Sequence, residues 1–329
     1  MNKIIGERVG VDGECRSLES IRDYLVGIIE VKISMALDDK IKKLSIPDQL
    51  IAKKIKKHLH TLLTANAYRL NIIAKYFDNK YPNRFYEKSG KQWKSTTLGV
   101  AIRDAFKYSH FRETVLIEVA RRLNVKTCPY CNMHYTLYAN EQIQQKRTIK
   151  VVGITRFQFD HFFDKLHYPM LSMSFYNLIP SCAVCNHGKS AKALSLEFNP
   201  YYSDIHKQFH FELTDPLGPY TAARVNDEVE VQLVPEAGVN NAEFEEYRET
   251  FHLKSLYGRH GDVVQEVYDK AYKEPYYINQ ANFSFLGVDG SDYLKRLWIG
   301  NYPDSEEIEK RPMAKFMQDM WRQAKGETQ

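Results

Sequence analysis

What this sequence lacks narrows its reading first. No run of apolar residues approaches the roughly 18 that a membrane-spanning helix needs. The amino-terminal MNKIIGERVGVDGECRS holds no apolar core of the kind a signal peptide carries. We therefore expect a chain that stays in the cytoplasm and has no membrane partner. Cysteine is scarce: five in 329 residues cannot make a disulfide scaffold, and a reducing compartment keeps them as thiols or metal ligands. Glycine (16) and proline (12) are too few for collagen-like or low-complexity sequence. Neither sign of charge dominates, with 46 Lys and Arg against 41 Asp and Glu. The net charge of +5 permits a polyanionic partner without demanding one. We find no internal repeat of 20–50 residues.

What is present is ordinary globular composition, 43% hydrophobic and 26% charged, in a chain long enough for two or three domains. From about Ser17 to Val125 apolar residues recur at helical spacing, as in Ile21, Tyr24, Leu25, Ile28 and Ile29. Ser45, Pro47 and Asp48 read as the start of a helix running to about Tyr76. Its Lys53, Lys54, Lys56 and Lys57 form either a solvated face or a phosphate contact. Tyr81 to Thr97 reads as a loop, and Val100 to Leu123 as helix. The period then changes. His134 to Tyr138 and Ile149 to Phe159 predict a hairpin, with Gln142 to Lys146 as its connection. Pro180 to Leu194 reads as a short helix, and strands are expected near Phe209–Leu213 and Val229–Leu233 in a passage punctuated by Asn199-Pro200, Asp215-Pro216 and Gly218-Pro219. Helical spacing returns over Ala242–Leu256 and Asp262–Lys273, and again behind Pro312, where Met313, Phe316, Met317, Met320 and Trp321 read as core.

Position gives the cysteines their meaning. Cys128-Pro129-Tyr130-Cys131 and Cys182-Ala183-Val184-Cys185 are two matched Cys-x-x-Cys turns, each able to offer two thiolates to one tetrahedral zinc ion. Roughly 50 residues separate the pairs, more than the 15–20 of a compact zinc ribbon, so another element is built inside the clasp. It contains Phe157-Gln158-Phe159-Asp160-His161, then Asn177-Leu178-Ile179-Pro180, and directly after the last cysteine Asn186-His187-Gly188-Lys189. Gly188-Lys189-Ser190 matches the end of a phosphate-binding loop, but Ala183 stands where the loop's first glycine belongs, which excludes an NTPase. Cys15 and His134 read as structural.

In residue type, order and spacing, including the nine-residue step from Asn177 to Asn186, this stretch resembles the HNH, or ββα-metal, nucleases. The resemblance covers Cys128 to about Lys192, roughly a fifth of the chain. It implies a strand ending in Asp160-His161, a loop asparagine at Asn177 and a helix-borne ligand at Asn186 around one catalytic ion. Asp160 and Asn186 would offer hard oxygen ligands to Mg²⁺ or Mn²⁺. His161, with an ordinary pKa near 6.5, would take a proton from water. Asn177 would orient His161 or fix its loop, and Lys189 would hold a phosphate oxygen. His187 stays open as an alternative to Asn186. Asp160 and His161 would point to opposite sides of a regular strand, so a bend or loop must bring both to one phosphate.

The expectation is an α+β, mostly helical protein: a helical domain over 1–125, a zinc-braced ββα-metal nuclease element over 126–200 and a mainly helical domain over 201–329. Its cofactors would be structural Zn²⁺ and catalytic Mg²⁺ or Mn²⁺, and its substrate nucleic acid, DNA ahead of RNA. Large helical additions around a small HNH core resemble the nuclease subunits of bacterial anti-phage systems, the Septu kind among them. That resemblance implies antiviral defence beside an ATPase partner. A non-catalytic zinc-knuckle binding or scaffold protein is the alternative, and a thiol oxidoreductase using either Cys-x-x-Cys is a weaker third.

Overall fold

The computed structural model describes residues 4, 6–90, 92–145, 148–216, 228–278 and 290–327. Lys146, expected in the hairpin connection, and the Gly218-Pro219 turn lie outside them. The fold is mixed α+β with more helix than strand, and among the described residues every sheet has two strands. No described helix is long and apolar enough to cross a membrane. By contacts the chain groups into two compact units. One comprises Ile4–Val125 and Thr136–Ser203; the other is built from Lys126–Tyr135 and the described part of Asp204–Gln329. The segment 126–200 is thus shared between them.

The first unit starts with a short antiparallel pair, β1 (Glu7–Val9) and β2 (Cys15–Ser17), and the long helix α1 (Leu18–Ile41). Ser17 caps α1 by accepting from the Ser20 amide at 3.1 Å. Ile21, Leu25, Ile29, Ile33, Leu37 and Ile41, four apart, form its buried stripe. Where one helix was expected from Ser45 to Tyr76 there are three, α2 (Ile46–Lys57), α3 (Leu59–Thr64) and α4 (Ala67–Lys80). The last break has a local cause: the Asn66 side chain accepts from the Arg69 amide at 2.9 Å and so caps a new helix. Ser45 makes no such cap; its hydroxyl donates to Asp48 at 2.8 Å.

The segment expected as a loop carries a hairpin, β3 (Tyr86–Ser89) and β4 (Gln92–Ser95). Its strands, YEKS and QWKS, lack the apolar alternation by which a half-buried strand is recognised. Helix α5 (Thr97–Phe106) follows and packs on α1. Gly99 is required there, because a Cβ would lie 2.0 Å from the Phe85 carbonyl oxygen. Lys107, in the left-handed region at φ +50°, turns the chain into α6 (Tyr108–Arg112), and α7 (Val115–Leu123) completes the helical layer. A hairpin is present but shifted: β5 (Tyr138–Gln145) pairs with β6 (Thr148–Thr155), so of the expected first strand only Tyr138 belongs to it, and Gln142–Gln145, expected as connection, are strand. It ends before Phe159, and Asp160-His161 belong to a separate strand.

In the second unit β9 (Phe209–Leu213) pairs antiparallel with β10 (Val231–Pro235). Helices α9 (Asn241–Thr250), α10 (Leu253–Tyr257), α11 (Gly261–Ile278), α12 (Gly290–Ile299) and α13 (Ala314–Lys325) follow. Phe316, Met320 and Trp321 are buried as expected, whereas Met313 and Met317 are only half-buried. The polar side of α13 serves the sheet: Asp319 accepts from the Phe211 amide at 3.0 Å and Gln323 from the Leu213 amide at 2.9 Å. The first cysteine turn belongs here because of aromatic packing. The Tyr130 ring stacks on Phe251 at 4.8 Å, and the Tyr247 and Tyr257 hydroxyls donate to the carbonyls of Tyr130 and Cys131.

Candidate active site and cysteine cluster

The Asp160-His161 strand is β7 (Gln158–His161). It pairs antiparallel with β8 (Leu178–Ser181), Gln158 opposite Ser181 and His161 opposite Leu178. Directly after β8 comes α8 (Ala183–Lys189), which gives a strand-strand-helix element. Cys182 is the cap of α8, its sulfur accepting from the Cys185 amide at 3.4 Å, so the Cys-x-x-Cys turn and the helix start are one structure.

The Sγ atoms of Cys128, Cys131, Cys182 and Cys185 all lie within 4.8 Å of one another, and all four residues are buried. None is in a disulfide. A tetrahedral zinc with bonds of about 2.3 Å spaces its sulfurs about 3.8 Å apart, so the donor set and spacing fit that ion. Four buried cysteines this close can hold zinc. Their burial also removes them from the exposed, thiolate-stabilising setting that attack on a substrate disulfide requires. His134 is beside this cluster, its Nδ1 3.6 Å from the Cys131 sulfur.

Asp160, His161 and Asn186 line a single cavity of about 720 Å³ in the first unit. Asp160 is 2% exposed, and its carboxylate pairs with the Lys189 ammonium at 3.2 Å. Lys189 is fully buried and also donates to the His161 carbonyl at 2.8 Å. The expectation that Lys189 reaches a phosphate therefore has no counterpart in this arrangement: its charge serves Asp160 from within the protein.

His161 shows a single-sided hydrogen bond. Its Nε2 lies 3.0 Å from the Ser172 carbonyl oxygen, which can only accept. Nε2 therefore carries the proton, and Nδ1 is left as the acceptor. Burial, with help from the nearby Lys165 charge, holds the pKa down at about 3, so the ring is neutral at pH 7. The Tyr108 ring packs edge-on against the imidazole at 4.4 Å, and its hydroxyl donates to the Phe159 carbonyl at 3.2 Å.

Asn177 is fully buried and does not line the cavity. Its amide spans the loop after β7, donating to the Phe163 and Leu171 carbonyls at 3.0 and 2.9 Å and accepting from the Phe163 amide at 2.7 Å. It holds the residue next to Ser172, and through that loop the carbonyl on which His161 rests. The Asn186 amide nitrogen donates to Gln158, leaving its oxygen for another partner. His187 is exposed, rests on the Ala183 carbonyl at 2.8 Å and does not line the cavity.

Comparison of the chain with protein-family models, curated proteins and solved structures finds no match. The site is therefore read from its own chemistry. Sequence reasoning missed three side chains of the cavity wall, Tyr108, Arg112 and Lys165. Two come from α6, about 50 residues upstream of Asp160-His161, and no local pattern in the sequence points from one to the other.

Proposed function

We propose that this chain is a metal-dependent endonuclease of the HNH type that hydrolyses phosphodiester bonds in nucleic acid, DNA ahead of RNA. The observation that carries this reading is the pairing, on one cavity, of a neutral imidazole with its acceptor nitrogen free and the two oxygen donors of Asp160 and Asn186. Hydrolysis needs a group that takes a proton from water, and Nδ1 of His161 suits that role. The Ser172 carbonyl fixes the tautomer, Asn177 fixes the loop that presents that carbonyl, and Tyr108 limits tilting of the ring. Mg²⁺ or Mn²⁺, held by Asp160 and the Asn186 oxygen, would supply charge neutralisation at the phosphoryl oxygens and the departing alkoxide. Lys189 holds the buried Asp160 carboxylate in place by lying against it. Zinc in the four-cysteine cluster is structural in this reading.

His161→Ala tests the assignment: cutting of plasmid DNA should fall about 10²–10⁴-fold with fold and zinc retained. Cutting within about threefold of the parent would remove His161 from the mechanism. The close Lys189 ammonium beside Asp160 favours one competing reading, a zinc-knuckle protein that binds nucleic acid and never cuts. Parent protein that binds but leaves DNA and RNA intact with either metal would establish it. We further propose a restrained, cytoplasmic defence nuclease acting beside an ATPase. The product of an adjacent ATPase gene should then raise its cutting, and equal multiple-turnover cutting without it would remove the restraint.

A further inference from the structure

We infer that Arg103, Lys107, Arg112 and Lys165 form a track for the phosphate backbone of a nucleic-acid strand, leading out of the Asp160-His161 cavity over helices α5 and α6. This rests on the nuclease reading for its direction but not for its chemistry. The cavity of about 720 Å³ and a second hollow of about 440 Å³ share two wall residues, Tyr108 and Lys165, so they meet along one line. Arg112 lines the first; Arg103 and Lys107 line the second.

The charges on this line are poorly neutralised. Elsewhere in the unit cations sit on carboxylates, as in Lys40 with Asp104, Lys56 with Asp38, Arg84 with Asp48 and Arg122 with Glu118. Among the described residues no carboxylate pairs with Arg103, Lys107 or Lys165. The acids nearby are already used: Asp104 by Lys40 at 2.9 Å, Asp164 by His167 at 2.6 Å and Asp160 by Lys189. Arg112 meets Glu113 at 3.2 Å, but both are exposed and such a pair holds weakly. The Lys165 ammonium lies 5.2 Å over the Tyr108 ring, whose other neighbour is the His161 imidazole. Arg103 and Arg112 are close enough to lower the Lys165 pKa, after the larger effect of its surroundings. Cations gathered at that cost along a connected groove suit a chain of phosphates, which neutralises several at once and gains counterion release. Each such contact positions the strand without reading its sequence.

The test is fluorescence anisotropy of a labelled oligonucleotide with the full chain, without added Mg²⁺ or Mn²⁺. Arg112→Gln and Lys165→Gln should each weaken binding several-fold near 0.1 M salt. Each should also flatten the slope of log K against log salt by about 0.7–0.9. Lys165→Arg should restore both, and a Lys53→Gln, Lys57→Gln control should change neither. Arg112 is exposed, so its substitution leaves the fold in place even if that of Lys165 does not. Unchanged affinity and slope in folded Arg112→Gln would overturn the track. Repeating with Mg²⁺ or Mn²⁺ separates this from the nuclease reading. Weakened binding by the variants, with no cutting by the parent, keeps the track and removes the nuclease. Cutting by the parent, with unchanged binding by the variants, does the reverse.

Discussion

The four-cysteine cluster and the Asp160-His161 cavity are built on opposite principles. The cluster is closed: four soft sulfur donors, all buried and within 4.8 Å of one another, are the full donor set of a tetrahedral ion, which would leave no position for a substrate. The cavity is open and incomplete: two hard oxygen donors and one neutral imidazole border about 720 Å³, and a lysine from behind supplies the charge that the carboxylate needs. The same contrast separates metal sites that hold a fold from those that perform chemistry. It also implies that the two regions respond differently to the same insult.

Metal removal should have the largest effect. Cys128→Ser or Cys185→Ser should abolish stoichiometric zinc and lower the melting temperature by about 10 °C or more, because zinc binding and folding are one equilibrium at such a site. Elemental analysis and a thermal melt check this. By contrast, Asn186→Ala on the open side should leave zinc content and melting nearly unchanged.

Charge removal inside the cavity wall comes next. Lys189→Met leaves Asp160 buried without its cation and should cost about 3–5 kcal/mol in denaturant unfolding. Adding Asp160→Asn to that variant should recover most of the loss, since the group left uncompensated is then neutral. A Lys189→Met protein as stable as the parent would mean the pair is not the brace we describe.

The smallest effect is on acid stability. His161 binds its proton near pH 6.5 when unfolded but only near pH 3 when folded. Above pH 6.5 neither state is protonated and this group gives no pH dependence. Below it only the unfolded chain takes the proton, so stability falls by about 1.4 kcal/mol per pH unit, or about 2 kcal/mol by pH 5. His161→Gln should flatten that limb relative to the parent in denaturant titrations at pH 7, 6 and 5.

Much of the site was legible in the sequence because it is written locally. Asp160-His161 at a strand end, Asn186 after the last cysteine and the two Cys-x-x-Cys turns are short motifs; the structure gathers the four cysteines into one cluster and puts Asp160, His161 and Asn186 on the wall of one cavity. Asp160 and His161 both line one cavity although they are neighbours on the regularly paired strand β7, so no bend or loop between them accounts for it. What remained hidden depends on contacts distant in sequence. Lys189 reads as a phosphate ligand until Asp160 is seen 3.2 Å away, and α6 reads as an ordinary helix until Tyr108 meets His161. Likewise, nothing local shows that Cys128-x-x-Cys131 packs with residues after Asp204; Phe251, Tyr247 and Tyr257 decide that from more than a hundred positions downstream. The missed hairpin Tyr86–Ser95 and the break at Asn66 were local, but carried by exposed strands and one cap rather than by an apolar period.

The central claim is that hard-metal chemistry and soft-metal structure are separate in this chain. It is tested most directly by giving zinc-loaded protein labelled DNA or RNA, first without and then with Mg²⁺ or Mn²⁺, and measuring cutting and bound zinc together. The account predicts no cutting at first, cutting once the second metal is added, and about one zinc per chain throughout. Intact nucleic acid with either added metal, in protein that keeps its zinc and binds the substrate, would contradict it.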